Sequence, residues 1–335
     1  MEWLLLGNLA QGMRYITEYQ KNQAIKVQKQ QQQLKKWYRL GQILISLGYM
    51  TKEILSRIIE LQKLCKNMTP RLLYPTDTKF GKALTEYVLD KYAVALYITQ
   101  DNSFIKEQDK LFIADGSHGY YLFLAIAYRG LDVSRIVTNN LGAAGEYVLD
   151  AGKLTNTRLK FPSNGVVYRD FGGIFELQKD IFKEEIDSSN IFLSCFAVVP
   201  EVDEGFCEDN DIKADIRREL LESTSPVTIL CDYNTLSHTH GWHTPVFRGD
   251  SNKKWRGRLE RSYTRLVTTT HPEMPEQELK YLPTSRTPQA ISGSDPPHSW
   301  KRYSQNSKLL YGIMGDRFIE VDRSGNKLCY EKKIW

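Results

Sequence analysis

The chain has 335 residues, 41% of them apolar and 25% charged, with a formal net charge of +5 at pH 7. That length suits two or three domains of ordinary globular composition, and the mild positive charge permits an anionic ligand while counting against nucleic acid without excluding it. No apolar run approaches the length of a bilayer span, Met1 to Gly7 is too short and too poor in basic residues for a signal-peptide core, and the five cysteines form no CxxC pair, so a cytoplasmic protein with reduced thiols is expected.

The first 66 residues contain an internal duplication. A shift of 34 residues places Leu6-Gly7 on Leu40-Gly41, Leu9 on Ile43, Tyr15-Ile16-Thr17 on Tyr49-Met50-Thr51 and Gln28 on Gln62. Each copy reads as a short helix, a turn, an N-cap Thr and a longer amphipathic helix. Ile54, Leu55, Ile58, Ile59 and Leu61 make the core-facing stripe of the second copy. Two prolines between Asn67 and Asp77 end this pattern. A helical pattern resumes from Lys79 to Val94, and Ala95-Leu-Tyr-Ile98 has the look of a strand.

Strand and helix signals then alternate. Lys110 to Ala114 predicts a buried strand, Asp115-Gly-Ser-His-Gly119 a turn of small residues, and the run to Ala127 a helix. Further strands are predicted at Ser134–Thr138, Arg158–Phe161, Ile191–Val198 and Val227–Asp232, with a helix over Ile212–Glu222. Strands alternating with helices predict a mainly parallel sheet with ligand sites at the strand carboxyl ends. Pro272 to Ser299 reads as a long loop rich in Pro, Ser and Thr. Beyond it, Leu309–Met314, Arg317–Val321 and Lys327–Tyr330 predict a β meander, either appended or completing an edge of the main sheet. The expected division is therefore a helical module over 1–66, an α/β domain over 75–271, a linker over 272–300 and a β tail over 301–335.

The turn after the first strand is the leading candidate site. A helix start leaves backbone N–H groups free, and with the helix dipole they attract phosphate or carboxylate. The segment Arg39-Leu-Gly-Gln-Ile-Leu to Gly48-Tyr-Met-Thr51, closed by Gln62, resembles the N-terminal domain of type II secretion and pilus ATPases, some of which bind cyclic di-GMP. The resemblance implies dinucleotide contacts at Arg39, Leu40, Gly41, Leu44, Gly48 and Gln62. The first copy departs from that pattern, with Leu5 in place of Arg and Arg14 in place of the second Gly. A protein-interaction module is the other reading of residues 1–66.

The central order of motifs is Asp115-Gly-Ser-His-Gly119, Val137-Thr-Asn-Asn-Leu141, Phe161-Pro-Ser-Asn-Gly165, Ile191-Phe-Leu-Ser-Cys-Phe196 and Leu230-Cys-Asp232. It resembles the effector-sensing half of DeoR-type sugar-responsive regulators, on the fold shared with ribose-phosphate isomerase and coenzyme A transferases. The resemblance implies an anion held by Asp115, Gly116, Ser117, His118 and Gly119, bordered by Thr138, Asn139 and Asn140 and faced by Asp232. It also shows departures: Tyr233-Asn-Thr235 follows Asp232 where the family has a Lys motif, and no helix-turn-helix precedes the domain. DNA binding is therefore not inherited.

Three other clusters carry chemistry. His238, His240 and His243 lie close enough in sequence to ligate zinc, but a polar surface loop is the commoner use, and no metal is expected. Glu201, Asp203, Glu204, Glu208, Asp209 and Asp211 lack EF-hand spacing and read as a solvated rim. Lys253-Lys-Trp-Arg-Gly-Arg258 with Arg261 and Arg265 reads as a solvated basic face. The expectation is a non-catalytic sensor of a phosphorylated sugar or nucleotide-like metabolite that needs no cofactor. It would relay occupancy to a protein partner through residues 1–66, with oligomers allowed. A phosphosugar isomerase or hydrolase on the same fold, and a DNA-binding regulator, are the alternatives.

Overall fold

A computed structural model of the chain describes residues 5–12, 15–67, 77–149 and most of 157–232, with Thr235 and the strand segments 244–245, 264–269, 318–321 and 327–328. The chain divides into two compact units, Met1–Thr69 and Pro70–Trp335.

The first unit is all helical, as the duplication predicts. Helices α1 (Leu6–Gly12) and α2 (Glu18–Gln33) are repeated as α3 (Leu40–Ser46) and α4 (Lys52–Asn67). The Thr17 hydroxyl accepts from the amide of Gln20 at 3.2 Å while Gln20 Oε1 accepts from the amide of Thr17 at 2.8 Å, a reciprocal cap at the start of α2. Thr51 caps α4 by accepting from the Ile54 amide at 3.3 Å. Leu9, Ala10, Ile16, Ala24, Ile43, Leu44, Met50 and Ile58 form the core of this unit. Of the predicted stripe, Ile58 is fully buried and Ile54, Leu55 and Ile59 are half-buried.

The second unit is α/β. Helices α5 (Lys79–Thr85) and α6 (Val88–Gln100) lead into β1 (Lys110–Ile113), α7 (Ser117–Arg129), β2 (Arg135–Thr138), α8 (Leu141–Leu149) and β3 (Arg158–Lys160). After a small antiparallel pair, β4 (Val166–Tyr168) and β5 (Gly173–Phe175), come β6 (Asn190–Ser194), β7 (Ala197–Val199) and β8 (Gly205–Glu208). Helix α9 (Asp211–Glu222) and strands β9 (Val227–Leu230), β10 (Thr244–Pro245), β11 (Thr264–Thr269), β12 (Phe318–Val321) and β13 (Lys327–Leu328) complete it.

The main sheet runs β13-β12-β11-β9-β6-β1-β2-β3, and every neighbouring pair except β12–β13 is parallel. The two described strands of the tail, β12 and β13, thus extend the main sheet's edge, one of the two arrangements open from sequence, and the predicted strand Leu309–Met314 lies outside the described residues. From β1 the chain winds outward through β2 to β3. From β6, on the other side of β1, it winds the opposite way through β9 to β12. The β1–β6 pair is therefore the topological switch point, where open α/β sheets leave a crevice outside the strand carboxyl ends.

Ala95–Ile98 is not a strand; it lies within α6, whose residues from Asp90 to Thr99 are all buried. The helix packs against α7 and β11, and a helix enclosed on every side shows no polar stripe. A short apolar run of that kind has no period to separate helix from strand.

Candidate functional site

The site is assembled at the switch point. The turn after β1 is fixed first. Gly116 has φ +105°, and a Cβ there would stand 2.3 Å from Ser194 Oγ at the end of β6. Gly119 lets α7 close onto β1, because a Cβ would stand 2.2 Å from the Ala114 carbonyl oxygen. Both glycines serve the packing of the turn. The Asp115 amide donates to Asn139 Oδ1 at 2.7 Å, and Asn139 Nδ2 returns a bond to Asp115 Oδ1 at 3.0 Å. Asn140 Nδ2 donates to the Gly116 carbonyl at 3.0 Å, while its Oδ1 accepts from Gly142 and Ala143 at the start of α8. Thr138 Oγ1 donates to the Ile113 carbonyl and Ser194 Oγ to that of Asp115. Thr138, Asn139 and Asn140 thus use their side chains on the backbone around the turn.

A cavity of about 240 Å³ opens beside this turn. Asp115, Gly116, Ser117, His118 and Asp232 border it, together with Tyr87, Lys91, Ser194, Phe196, Glu208, Lys213 and Arg217. Gly119, Thr138, Asn139 and Asn140 are not among the residues that line it. The amides of Ser117, His118 and Gly119 donate to no acceptor among the described residues. Two side-chain atoms are also buried without a hydrogen-bond partner, Asp115 Oδ2 and His118 Nε2. Such atoms are uncommon in folded proteins.

Arg217 is the electrostatic centre, although nothing in its helical context announces it. The side chain is 2% exposed; Nη1 lies 2.7 Å from Asp115 Oδ1, and Nε 2.9 Å from Glu208 Oε1. Burial pushes the Asp115 carboxyl up, but Arg217, Lys213 and the bonds from Arg217 and Asn139 outweigh it and hold it below the usual carboxylate range. Glu208 goes the other way. Burial raises it to about 7 against the pull of Arg217 and Lys213, with Asp115 and Asp209 adding to the rise. The reading of Glu208 as a solvated rim residue is thereby corrected: it is 2% exposed because Arg217 takes it inward.

Across the cavity, Asp232 Oδ1 accepts from the Thr235 amide at 3.0 Å, and Asp232 Oδ2 lies 3.8 Å from His118 Nε2. Burial pushes the His118 imidazole down to about 4 despite Asp232, so it is neutral at pH 7. Lys91 is buried and donates to the carbonyls of Ala83 and Glu86 at the end of α5; burial lowers it to about 8. Asp115 is matched by Arg217, burial favours the neutral form of Glu208, and Lys91 and Lys213 stand in the same lining as Glu86 and Asp232, so the cavity carries charges of both signs. Amides offer donors to an anion, and the carboxylates offer acceptors to hydroxyl groups.

The residues of the duplicated motif lie in the first unit. Gly41 and Leu44 are buried, Leu40 and Gln62 half-buried, and Arg39 and Gly48 exposed. His238, His240, His243, Tyr233, Asn234, Ser163, Asn164, Glu201, Asp203, Glu204, Arg14, the basic run 253–261 and the 272–300 segment lie outside the described residues. Among the described residues no cluster of His, Cys, Asp and Glu is arranged to hold a metal ion, and no helix is long and apolar enough to cross a membrane.

No protein-family pattern matches the chain, and no curated protein matches it in sequence. Solved structures that share part of its shape include the following two. One is eIF2B delta from Chaetomium thermophilum, at 13% identity over 55% of each chain with a TM-score of 0.31. The other is the tetrameric eIF2B-beta2-delta2 complex from C. thermophilum, at 15% identity over 53% of this chain and 46% of that one, with a TM-score of 0.30. The chain thus spans about half the length of the solved structures it matches, and likeness at this level says nothing of what it binds.

Proposed function

We propose that the second unit is a ligand-sensing regulatory domain for a phosphorylated sugar or a nucleotide-like metabolite, and that occupancy is relayed through residues 1–66 to a macromolecular partner. One observation carries the reading. A 13-residue helix starts at the sheet's switch point with three unbonded amides, beside a cavity holding the unpartnered Asp115 Oδ2 and His118 Nε2. Phosphate suits the amides, and sugar hydroxyls suit Asp115 and Asp232. The cavity is small against the range of about 300–1,000 Å³ for ligand pockets, which favours a monophosphate of sugar size.

The test is isothermal titration with ribose 5-phosphate, against ribose and inorganic phosphate as controls. Ser117→Pro removes one amide donor while remaining compatible with the first helical position, where Pro is well tolerated. A charged hydrogen bond contributes about 1.5–3 kcal/mol, so affinity for the phosphorylated sugar should fall about ten- to a hundredfold with the circular dichroism unchanged. Equal affinity in wild type and variant would remove the amide site from the reading.

A second reading, an isomerase or hydrolase acting on the same ligand, draws on the His118–Asp232 approach at 3.8 Å. A neutral imidazole beside a carboxylate is an acid–base pair in reach of a bound sugar. Proton NMR of ribose 5-phosphate incubated with the protein separates the two. Turnover that disappears in Asp232→Asn supports the enzyme; an unchanged spectrum supports the sensor.

A further inference from the structure

The whole-chain charge of +5 conceals an uneven distribution. Residues 1–69 hold 11 Lys and Arg against 4 Glu, a surplus of +7, which exceeds that of the entire chain. Between Glu18 and Glu53 there are seven cations and no acid: Lys21, Lys26, Lys29, Lys35, Lys36, Arg39 and Lys52.

The loop between α2 and α3 gathers these cations around aromatic rings. All six residues from Leu34 to Arg39 are exposed, Trp37 at 80%, Leu34 at 67% and Tyr38 at 48%. The loop is held in place by its own backbone. The Leu34 amide donates to the Gln31 carbonyl at 3.1 Å, the Lys36 amide donates to the same carbonyl at 2.9 Å, and Lys35 takes φ +58° between them. Gln28 Nε2 ties the far side by donating to the Tyr38 carbonyl at 3.0 Å. Lys26 and Lys29 continue the exposed basic surface along α2, and among the described residues no ion-pair or hydrogen-bond partner meets the ammonium groups of Lys26, Lys29, Lys35 or Lys36.

A Trp so far exposed on an ordered loop leaves a large apolar face in water, which marks a surface for binding. Flat π faces among unmatched cations fit a polymer that carries both negative charge and flat rings. We infer that the α2–α3 loop of the first unit, centred on Trp37, Tyr38, Lys35, Lys36 and Arg39, binds single-stranded nucleic acid. The bases stack on Trp37 and Tyr38, and the phosphates meet the cations. An anionic membrane surface is the weaker fit, because Leu34, Trp37 and Tyr38 stand beside four consecutive glutamines and not on a broad apolar helix face. This inference names the chemistry of the partner and does not depend on the ligand read into the second unit.

The experiment is fluorescence anisotropy of the full chain with labelled oligo-uridylate of about twenty nucleotides. Wild type should bind, and affinity should drop about fiftyfold between roughly 50 and 200 mM salt, as four neutralised phosphates require on a single strand. Trp37→Ala with Tyr38→Ala should weaken binding at least about tenfold, given the usual strength of base stacking. Lys35→Glu with Lys36→Glu should weaken it further at low salt and flatten the salt dependence. All four side chains are exposed, so circular dichroism should stay unchanged. Failure to bind at low salt overturns the inference, as does binding that neither double variant changes. Binding only to phosphatidylserine vesicles, or only to cyclic di-GMP, overturns it in favour of a membrane or a dinucleotide. Ribose 5-phosphate titrations are read separately, so neither outcome decides the other.

Discussion

Arg217→Met should cost the second unit about 3–5 kcal/mol at pH 7, measured by urea unfolding followed by circular dichroism. The Arg217 guanidinium sits between Asp115 and Glu208, all three at most 2% exposed. Removing it leaves two carboxyl groups in a low-dielectric site with no counter-charge, and the cost is the penalty of those stranded acids. Glu208 already sits near 7 and escapes by taking a proton. Asp115 is held below its ordinary range largely by Arg217, so it carries most of the loss. Adding Asp115→Asn to Arg217→Met should therefore restore a large part of the stability, whereas Glu208→Gln should restore less. A loss under about 1 kcal/mol, or equal rescue by the two second changes, would show that the Asp115–Arg217 pair does not hold the turn. The same variants report on the site, since Asp115 precedes the helix start that offers its amides to a ligand.

Much of the architecture was legible in the sequence because the relevant signals are local. Thr17 and Thr51 announce their helices three residues ahead of the amides they cap, and Leu111–Ile113 or Ile191–Leu193 have the apolar continuity of strands covered on both faces. The small residues after β1 also marked the turn, although Gly116 and Gly119 turn out to serve contacts with Ser194 and Ala114. What was not legible depends on distance along the chain. Arg217 meets Asp115 across 102 residues, and within α9 it has the pattern of an ordinary charged helix position. Glu208 lies in an acidic run that reads as solvent-facing until its partner is known. Thr138, Asn139 and Asn140 stand at a strand's carboxyl end, where polar residues face either a ligand or the neighbouring turn; only the hydrogen bonds separate the two. Ala95–Ile98 does not announce the helix it belongs to, because complete burial erases amphipathic periodicity.

His118 and Glu208, both buried in the cavity lining, should give opposite pH profiles when each is isolated. His118 has a folded value near 4 against an ordinary 6.5, set first by burial. Between those values the unfolded chain binds the proton and the folded one does not, so this group makes stability fall as pH drops from 6.5 to 4. Glu208 has a folded value near 7 against an ordinary 4.5, also set first by burial. There the folded chain holds the proton, so this group makes stability fall as pH rises from 4.5 to 7. Each shift corresponds to about 3 kcal/mol, and the two largely offset one another over the shared window. In Glu208→Gln only the histidine remains, and stability should climb by about 3 kcal/mol from pH 4 to 6.5. In His118→Asn only the glutamate remains, and stability should decline by a similar amount from pH 4.5 to 7. Urea midpoints at half-unit pH steps measure both, with wild type flatter than either variant. Parallel profiles in the two variants would mean that these two groups are not both buried as the cavity lining places them. The slope comparison holds even if each substitution lowers stability at every pH, because a constant loss shifts a profile without tilting it.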